Sequence, residues 1–107
     1  MKPTGKEKIK TESSLKQKND IWFCVQIATY PSDIGVKNPK FKGLSKVSLY
    51  QQGGMYKYIV GKETDVSKAF QLLKEVNSKG FRDAFVVAFN GDERITLGQA
   101  RSLLNKQ

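Results

Sequence analysis

The stretch from Ala84 to Gly91, AFVVAFNG, decides how the rest of the sequence is interpreted. Side chains alternate between the two faces of a β-strand, and here both faces would be apolar. One face would carry Ala84, Val86 and Ala88, and the other Phe85, Val87 and Phe89. A strand of this kind needs cover on both sides, so the sequence predicts a sheet with a helix on one face and a further contact on the other.

The residues before this strand have the periodicity of a helix. Apolar residues recur there three or four positions apart, at Val66, Ala69, Phe70, Leu73 and Val76. Thr64 or Asp65 can cap the start, and Gly80 follows Lys79 where a glycine often ends a helix. The spacing predicts a helix over 65–79 whose apolar side, with Phe70 included, packs on the sheet.

Further upstream, three segments have the composition of strands. IWFCVQIATY at 21–30 is rich in aromatic and β-branched residues, and KVSLYQQ at 46–52 and MYKYIVG at 55–61 flank a Gly53-Gly54 turn as a hairpin. Between them, PSDIGVKNPKFKGL at 31–44 has two prolines and two glycines, so we expect a loop with one helical turn at most. After the last strand, Thr96 and Gln99 have the spacing of a capping box for a short C-terminal helix.

This order of elements predicts the fold class. It indicates an α+β domain of the split βαββαβ, ferredoxin-like type, with a single antiparallel sheet, a degenerate first helix and an extra C-terminal helix. The strands at 21–30 and 55–61 would be central neighbours. The helix would cover the face with Val25, Ile27, Tyr58 and Val60. The uncovered face would display Cys24, Gln26, Ala28, Met55, Lys57, Ile59, Phe85, Val87 and Phe89.

Composition limits the function. The 107 residues carry a net charge of +9, with no histidine and one cysteine, Cys24. Without histidine there is no Ser-His or Cys-His nucleophile pair, and one thiol excludes a zinc site with several thiolates. The sequence therefore predicts a protein that is not an enzyme, with no cofactor and no metal.

We expect residues 1–20, with six lysines and few apolar residues, to be a disordered basic tail or linker, and residues 21–107 to form one domain.

Four quoted segments resemble one protein family. FCVQIATY, YKYIVG and FRDAFVVAF, with KAFQLLKEVNSKGF before the last of them, are similar to the SPOR (sporulation-related repeat) domain, a module of bacterial cell-envelope and cell-division proteins. The resemblance covers about residues 22–89. It rests on the VQ in the first strand, the Y-x-V/I-V-G pattern in the third, and a helix with A-x-x-L-L before a Gly-aromatic break.

The resemblance implies a function and a site. SPOR domains have ferredoxin-like folds and bind peptidoglycan glycan strands, favouring those stripped of stem peptides, so the implied role is glycan binding that targets a parent protein to the periplasmic cell wall or septum. The family's ligand-binding positions fall on Gln26, Thr29, Met55, Lys57 and Phe85. Met55 stands where an aromatic residue would stack best. We expect a monomer that binds glycan strands, without membrane insertion in this chain.

Two other functions are compatible with the predicted elements. RNA-recognition domains share the βαββαβ order and stack bases on aromatic residues, which here would require Tyr56 and Tyr58 to face outward. That register would turn Lys57 into the core, where an unpaired charge is costly. The third possibility is a protein-protein interaction module that uses the uncovered face of the sheet.

Overall fold

The computed structural model describes residues 20–105 and has one five-stranded sheet with two α-helices. The strands are β1 (Ile21–Tyr30), β2 (Val47–Gln52), β3 (Met55–Glu63), β4 (Phe85–Asn90) and β5 (Glu93–Ile95), and the helices are α1 (Val66–Ser78) and α2 (Leu97–Leu104). The strand order is β2-β3-β1-β4-β5. β1 pairs with β3, β2 with β3, and β4 with β5, each in the antiparallel sense.

The coarse prediction of an α+β fold with a single antiparallel sheet is confirmed, and β1 and β3 are central neighbours as expected. One element was not predicted: β5 has only three residues, Glu-Arg-Ile, which is too short to give a strand pattern. β3 is two residues longer than expected, since pairing continues past Gly61. The predicted tail, apart from Asp20, lies outside the described residues.

The chain divides into two compact units. The larger, Trp22–Val87, holds β2, β3, α1 and nearly all of β1. The described part of the smaller consists of residues 20–21 and 88–105. In that smaller unit Ala88 of β4 is opposite Ile95 of β5, and α2 buries Ala100.

Both helices begin at capping residues that the sequence indicated. The Asp65 carboxylate accepts hydrogen bonds from the backbone N–H and the hydroxyl of Ser67, which lower the pKa of Asp65 below its ordinary value. At α2 the Thr96 hydroxyl accepts from the Gln99 N–H, and the Gln99 side chain accepts from the Thr96 N–H, both at 2.9 Å. This is the reciprocal capping box that the Thr96 and Gln99 spacing predicted.

α1 lies against β3 on the sheet face that carries Val60, because Val60, Leu72 and Val76 line one cleft. Ala69 and Val76 are its buried residues. The prediction that Phe70 packs in the core is wrong, since Phe70 is 45% exposed. Phe70 lies about 100° around the helix from Ala69, outside the buried stripe. Leu72, which was not predicted to face the sheet, contacts it instead.

Gly61 marks an irregularity in β3 that depends on the absence of a side chain. Its φ is +84°, and the register between β1 and β3 shifts there, because Val25 is opposite Val60 while Phe23 is opposite Glu63. A Cβ atom at this position would lie 2.5 Å from Leu72 Cδ2. Glycine therefore permits both the bulge in the strand and the close approach of α1.

We expect Gly61→Ala to lower the free energy of unfolding by about 1–2 kcal/mol from its backbone conformation alone. Displacement of Leu72 should add to that loss. Gly53→Ala is the matched control, because Gly53 also has a positive φ, +61°, but a Cβ atom there would meet nothing within 4 Å. Urea unfolding should show a larger loss for Gly61→Ala. Equal losses would mean that Leu72 moves away without cost.

The loop between β1 and β2 replaces the first helix of the predicted fold. Its only helical piece is a 3-10 turn, Pro39–Phe41, whose start is capped by the side chain of Asn38. The turn places Phe41, which is 1% exposed, against the ring of Tyr58 with 4.9 Å between ring centroids. One buried aromatic residue thus anchors the loop to β3.

The hydroxyl of Tyr58 holds the same loop by hydrogen bonds. It accepts from the Ile34 N–H at 2.8 Å and donates to the Asp33 carboxylate at 3.0 Å. Burial raises the pKa of Tyr58, the Ile34 N–H acts in the opposite direction, and the Asp33 carboxylate adds to the increase. The phenol therefore stays protonated at neutral pH and continues to donate to Asp33. Its burial agrees with the prediction that Tyr58 belongs to the core.

Candidate functional site

A β-bulge in β1 brings two of the predicted site residues to the same face of the sheet. Gln26 is opposite Ile59 and Ala28 is opposite Tyr58, so Ile27 is an extra residue on β1. Alternation past the bulge then places Thr29 on the face of Gln26, opposite Lys57. Ala28, which was predicted on this face, lies on the opposite face with Tyr58, because period-two alternation is interrupted at Ile27.

Gln26 is the centre of a hydrogen-bonded chain on this face. Its Oε1 accepts from the Tyr50 hydroxyl at 2.8 Å, and its Nε2 donates to the Thr29 Oγ1 at 3.0 Å. Gln26 is only 6% exposed, whereas Thr29 is exposed and Tyr50 half-buried. Both ends of the buried amide are therefore satisfied within the protein, and the hydroxyls that it holds are closer to solvent.

Lys57 of β3 lies between the two hydroxyl-bearing residues. It is directly opposite Thr29 of β1 on one side and Tyr50 of β2 on the other. Its ammonium donates to the Gln52 Oε1 at 2.7 Å, and the side chain is half-buried. We call the five residues Gln26, Thr29, Tyr50, Gln52 and Lys57 the polar cluster.

A cleft of about 370 Å³ adjoins the polar cluster at the end of β1. Its lining includes Gln26 and Thr29 from the cluster, and Phe85 from the start of β4. Phe85 is 46% exposed, so a large part of its ring is in contact with solvent. Asp83 also lines the cleft and adds a carboxylate. The cleft thus combines an amide, a hydroxyl, a carboxylate and an aromatic ring within the size range of small-molecule sites.

Gln26, Thr29, Met55 and Lys57 occupy one face of the sheet, but the five predicted site residues do not form one pocket. Gln26, Thr29 and Phe85 line the cleft, and Lys57 is opposite Thr29. Met55 is half-buried at the start of β3, opposite Gln52, and is not among the residues that line the cleft. Tyr50 and Gln52 were not predicted, although the alternation of Ser48, Tyr50 and Gln52 along β2 is a polar pattern that could have indicated them.

The face with the polar cluster is less open than the sequence predicted. Five residues expected on the uncovered face are buried, namely Cys24, Gln26, Ile59, Val87 and Phe89. Of the predicted site residues, Thr29, Met55, Lys57 and Phe85 remain accessible, at the end of β1 and the starts of β3 and β4. A ligand that contacts these predicted residues therefore lies at one end of the sheet.

The register of β3 differs from the one that the nucleic-acid alternative requires. Tyr58 is fully buried on the face opposite the polar cluster, with Phe41 against its ring. Tyr56 is opposite Tyr30 and shares the face of Tyr58. Lys57 accordingly lies on the polar cluster's face and not in the core. The pair of outward tyrosines that would stack bases is not formed.

Two further properties of residues 20–105 bear on the site. Neither helix in this part of the chain has the length and apolar character needed to cross a membrane. Over the same residues, no group of three or more His, Cys, Asp and Glu side chains is placed to hold a metal ion. Comparisons of the chain with protein-family models, with curated proteins and with solved structures found no match.

Proposed function

We propose that this chain is a non-catalytic module that binds peptidoglycan glycan strands, preferably strands stripped of peptides, and targets its parent protein to the cell wall or the division septum. The observation that carries the proposal is the row formed by Tyr50, Lys57 and Thr29 across three strands, together with the exposed residue Phe85, which lines the same cleft as Thr29. The SPOR-like segments of the sequence support it, because the family's binding positions include Lys57, Thr29 and Phe85. The corresponding location is the bacterial periplasm.

The chemistry of a peptide-free glycan suits this surface. Its sugars present hydroxyl and acetamido groups at their edges and apolar C–H surfaces on their ring faces. Hydroxyl and ammonium groups can make directional hydrogen bonds to the sugar edges, and an aromatic ring can pack against a sugar face. A surface with both kinds of group at one end of a sheet can therefore bind and orient an extended sugar chain.

We expect the full chain to sediment with purified sacculi, and to do so more strongly after an amidase has removed the stem peptides. Phe85→Ala should weaken this binding by about 1 kcal/mol, which is roughly fivefold in Kd. Phe70→Ala is the matched control, because Phe70 is equally exposed, at 45%, but lies on α1. The control should sediment as the unaltered chain does. Both variants should keep the unaltered melting temperature.

Binding that is absent, or that is equal before and after amidase treatment, would contradict the proposal. A loss of binding of the same size in Phe85→Ala and Phe70→Ala would mean that the glycan does not contact Phe85 specifically.

The salt dependence of binding distinguishes a glycan ligand from a nucleic acid. The distinction is relevant because Trp22–Val87 carries ten lysine and arginine residues against five acidic ones. Phosphate contacts release counterions and give a steep loss of affinity with salt, whereas a mainly uncharged glycan should give a shallow one.

A further inference from the structure

The two edges of the sheet differ in how well they are protected from pairing with another chain. β5, at one edge, has three residues, of which Glu93 and Arg94 are charged. β2, at the other edge, has six residues, VSLYQQ, with no charged residue and no proline. Its register with β3 continues without a bulge from Val47 to Gln52. Proteins usually protect an edge strand by shortness, by lysine or proline, or by a bulge, and β2 has none of these features.

β2 has an alternating pattern of side chains. Val47 and Leu49 share the face of Tyr58 and are half-buried. Ser48 and Tyr50 lie on the face of the polar cluster, and Ser48 is exposed. Among residues 20–105, β3 is the one strand beside β2. The outer side of β2 is therefore best matched by a strand with apolar residues on one face and uncharged polar residues on the other.

β2 itself fits this description. In an antiparallel pair of identical strands related by a two-fold axis, residues that are opposite each other share a face, so the pair is centred on a residue. A pair centred on Leu49 places Leu49 opposite its own equivalent and Ser48 opposite Tyr50. Apolar side chains then meet at the centre of one face, and hydroxyl groups meet on the other.

The charge of the chain favours a second copy over a different partner. The 107 residues carry a net charge of +9, so the different partner that the chain would attract is an acidic segment. Lysines along β2 would be needed to pair with such a segment, and β2 has none. β2 also has no charge that would repel an identical strand.

We infer that β2 is the contact between two copies of this chain, which join their sheets edge to edge through antiparallel β2 strands. The inference goes beyond the proposed function and does not depend on it. It replaces the monomer expected from the sequence with a dimer. The two-fold axis is perpendicular to the sheet, so the polar clusters of both copies lie on the same face of the joined sheet. A polymeric ligand can then contact both copies at once.

Sedimentation equilibrium of the full chain at about 0.15 M salt tests the contact. One short strand from each copy corresponds to a weak association, with a Kd of about 10–100 μM. The measured mass should rise from that of one chain toward that of two across this range of concentration. More salt should strengthen the dimer, because it screens the net charge of +9 and the charge of Lys46, which precedes β2.

A lysine on β2 should weaken the dimer. Ser48→Lys places two ammonium groups as diagonal neighbours across the contact, so the Kd should rise about fivefold. Ser48 is exposed, and the melting temperature should stay unchanged. Ser78→Lys is the matched control, because Ser78 is also exposed but lies on α1. The control should associate as the unaltered chain does.

A mixture of two variants identifies the strand that pairs with β2. Ser48→Lys mixed with Ser48→Glu places opposite charges at the diagonal positions, so the mixed dimer should form about tenfold more tightly than the Ser48→Lys dimer. Sedimentation velocity with a fluorescent label on Ser48→Lys alone would measure this difference. The advantage of the mixed dimer should shrink as salt is added.

The inference is overturned if the unaltered chain keeps the mass of one chain at concentrations up to about 500 μM. It is also overturned if Ser48→Lys weakens a dimer no more than Ser78→Lys does, or if the mixed dimer is no tighter, because the contact then lies elsewhere. A monomer that sediments with stripped sacculi would leave the proposed function standing. A dimer that binds no glycan would leave this inference standing.

Discussion

Phe41→Ala is expected to lower the free energy of unfolding by about 3–5 kcal/mol, the usual range for removing a fully buried phenylalanine. Phe41 is 1% exposed and packs on Tyr58, which is itself fully buried. The hydrogen bonds of the loop, both local and to the Tyr58 hydroxyl, do not fill the volume of the lost ring, so a cavity would remain beside Tyr58. Urea unfolding followed by circular dichroism would measure the change.

Two controls define the interpretation of that result. Phe41→Leu keeps most of the buried volume and should cost much less than the alanine variant. Phe70→Ala removes the same ring from an exposed position and should change the free energy of unfolding by about 0.5 kcal/mol or less. A loss below about 1 kcal/mol for Phe41→Ala would show that the loop refolds around the missing ring or that Phe41 is not a core residue.

Lys57→Ala and Gln26→Ala are each expected to weaken binding to peptide-free glycan by about 1–3 kcal/mol, but with different effects on stability. Lys57 is half-buried and its Gln52 contact is near solvent, so its removal should leave the melting temperature nearly unchanged. Gln26 is buried and satisfies Tyr50 and Thr29, so Gln26→Ala should also destabilise the fold. Titration calorimetry and thermal melts on the same samples would measure both quantities.

The two losses should not be additive, because Gln26 orients Thr29 and Thr29 is directly opposite Lys57. A double variant that loses less than the sum would indicate that both residues act on the same ligand group. Unchanged binding in both single variants, with both folded, would remove the polar cluster from the proposed site. Binding at another surface would then have to account for any sedimentation with sacculi.

Local patterns in the sequence were sufficient to predict most elements of the fold. The helical spacing from Val66 to Val76, the Gly53-Gly54 turn and the capping box at Thr96 each act over a few residues, so they could be identified without tertiary contacts. The burial of Phe41 could not be predicted in this way, because it depends on the ring of Tyr58, in a strand that comes later in the chain. The exposure of Phe70 was missed because the predicted apolar stripe of the helix was too wide.

The site residues were predicted by resemblance, and their arrangement was not. Strict alternation along β1 puts Gln26 and Thr29 on opposite faces, and only the bulge at Ile27 brings them together. A bulge of this kind has no sequence signal in IWFCVQIATY that distinguishes it from a regular strand. The contribution of Tyr50 was missed for a related reason, since its partner is 24 positions away in the chain.

The attachment of the β1–β2 loop to Tyr58 has a consequence for the order of folding. The N–H of Ile34 is bonded to a side chain 24 positions further along, so this hydrogen bond can form only when β3 is in place, and we expect the loop to become ordered late in folding. The β2–β3 hairpin, in contrast, closes across a turn of two glycines and needs only local contacts. Interactions that form after the transition state affect the unfolding rate more than the refolding rate. Phe41→Ala should therefore raise the unfolding rate and shorten the lifetime of the native state, while the refolding rate stays nearly unchanged.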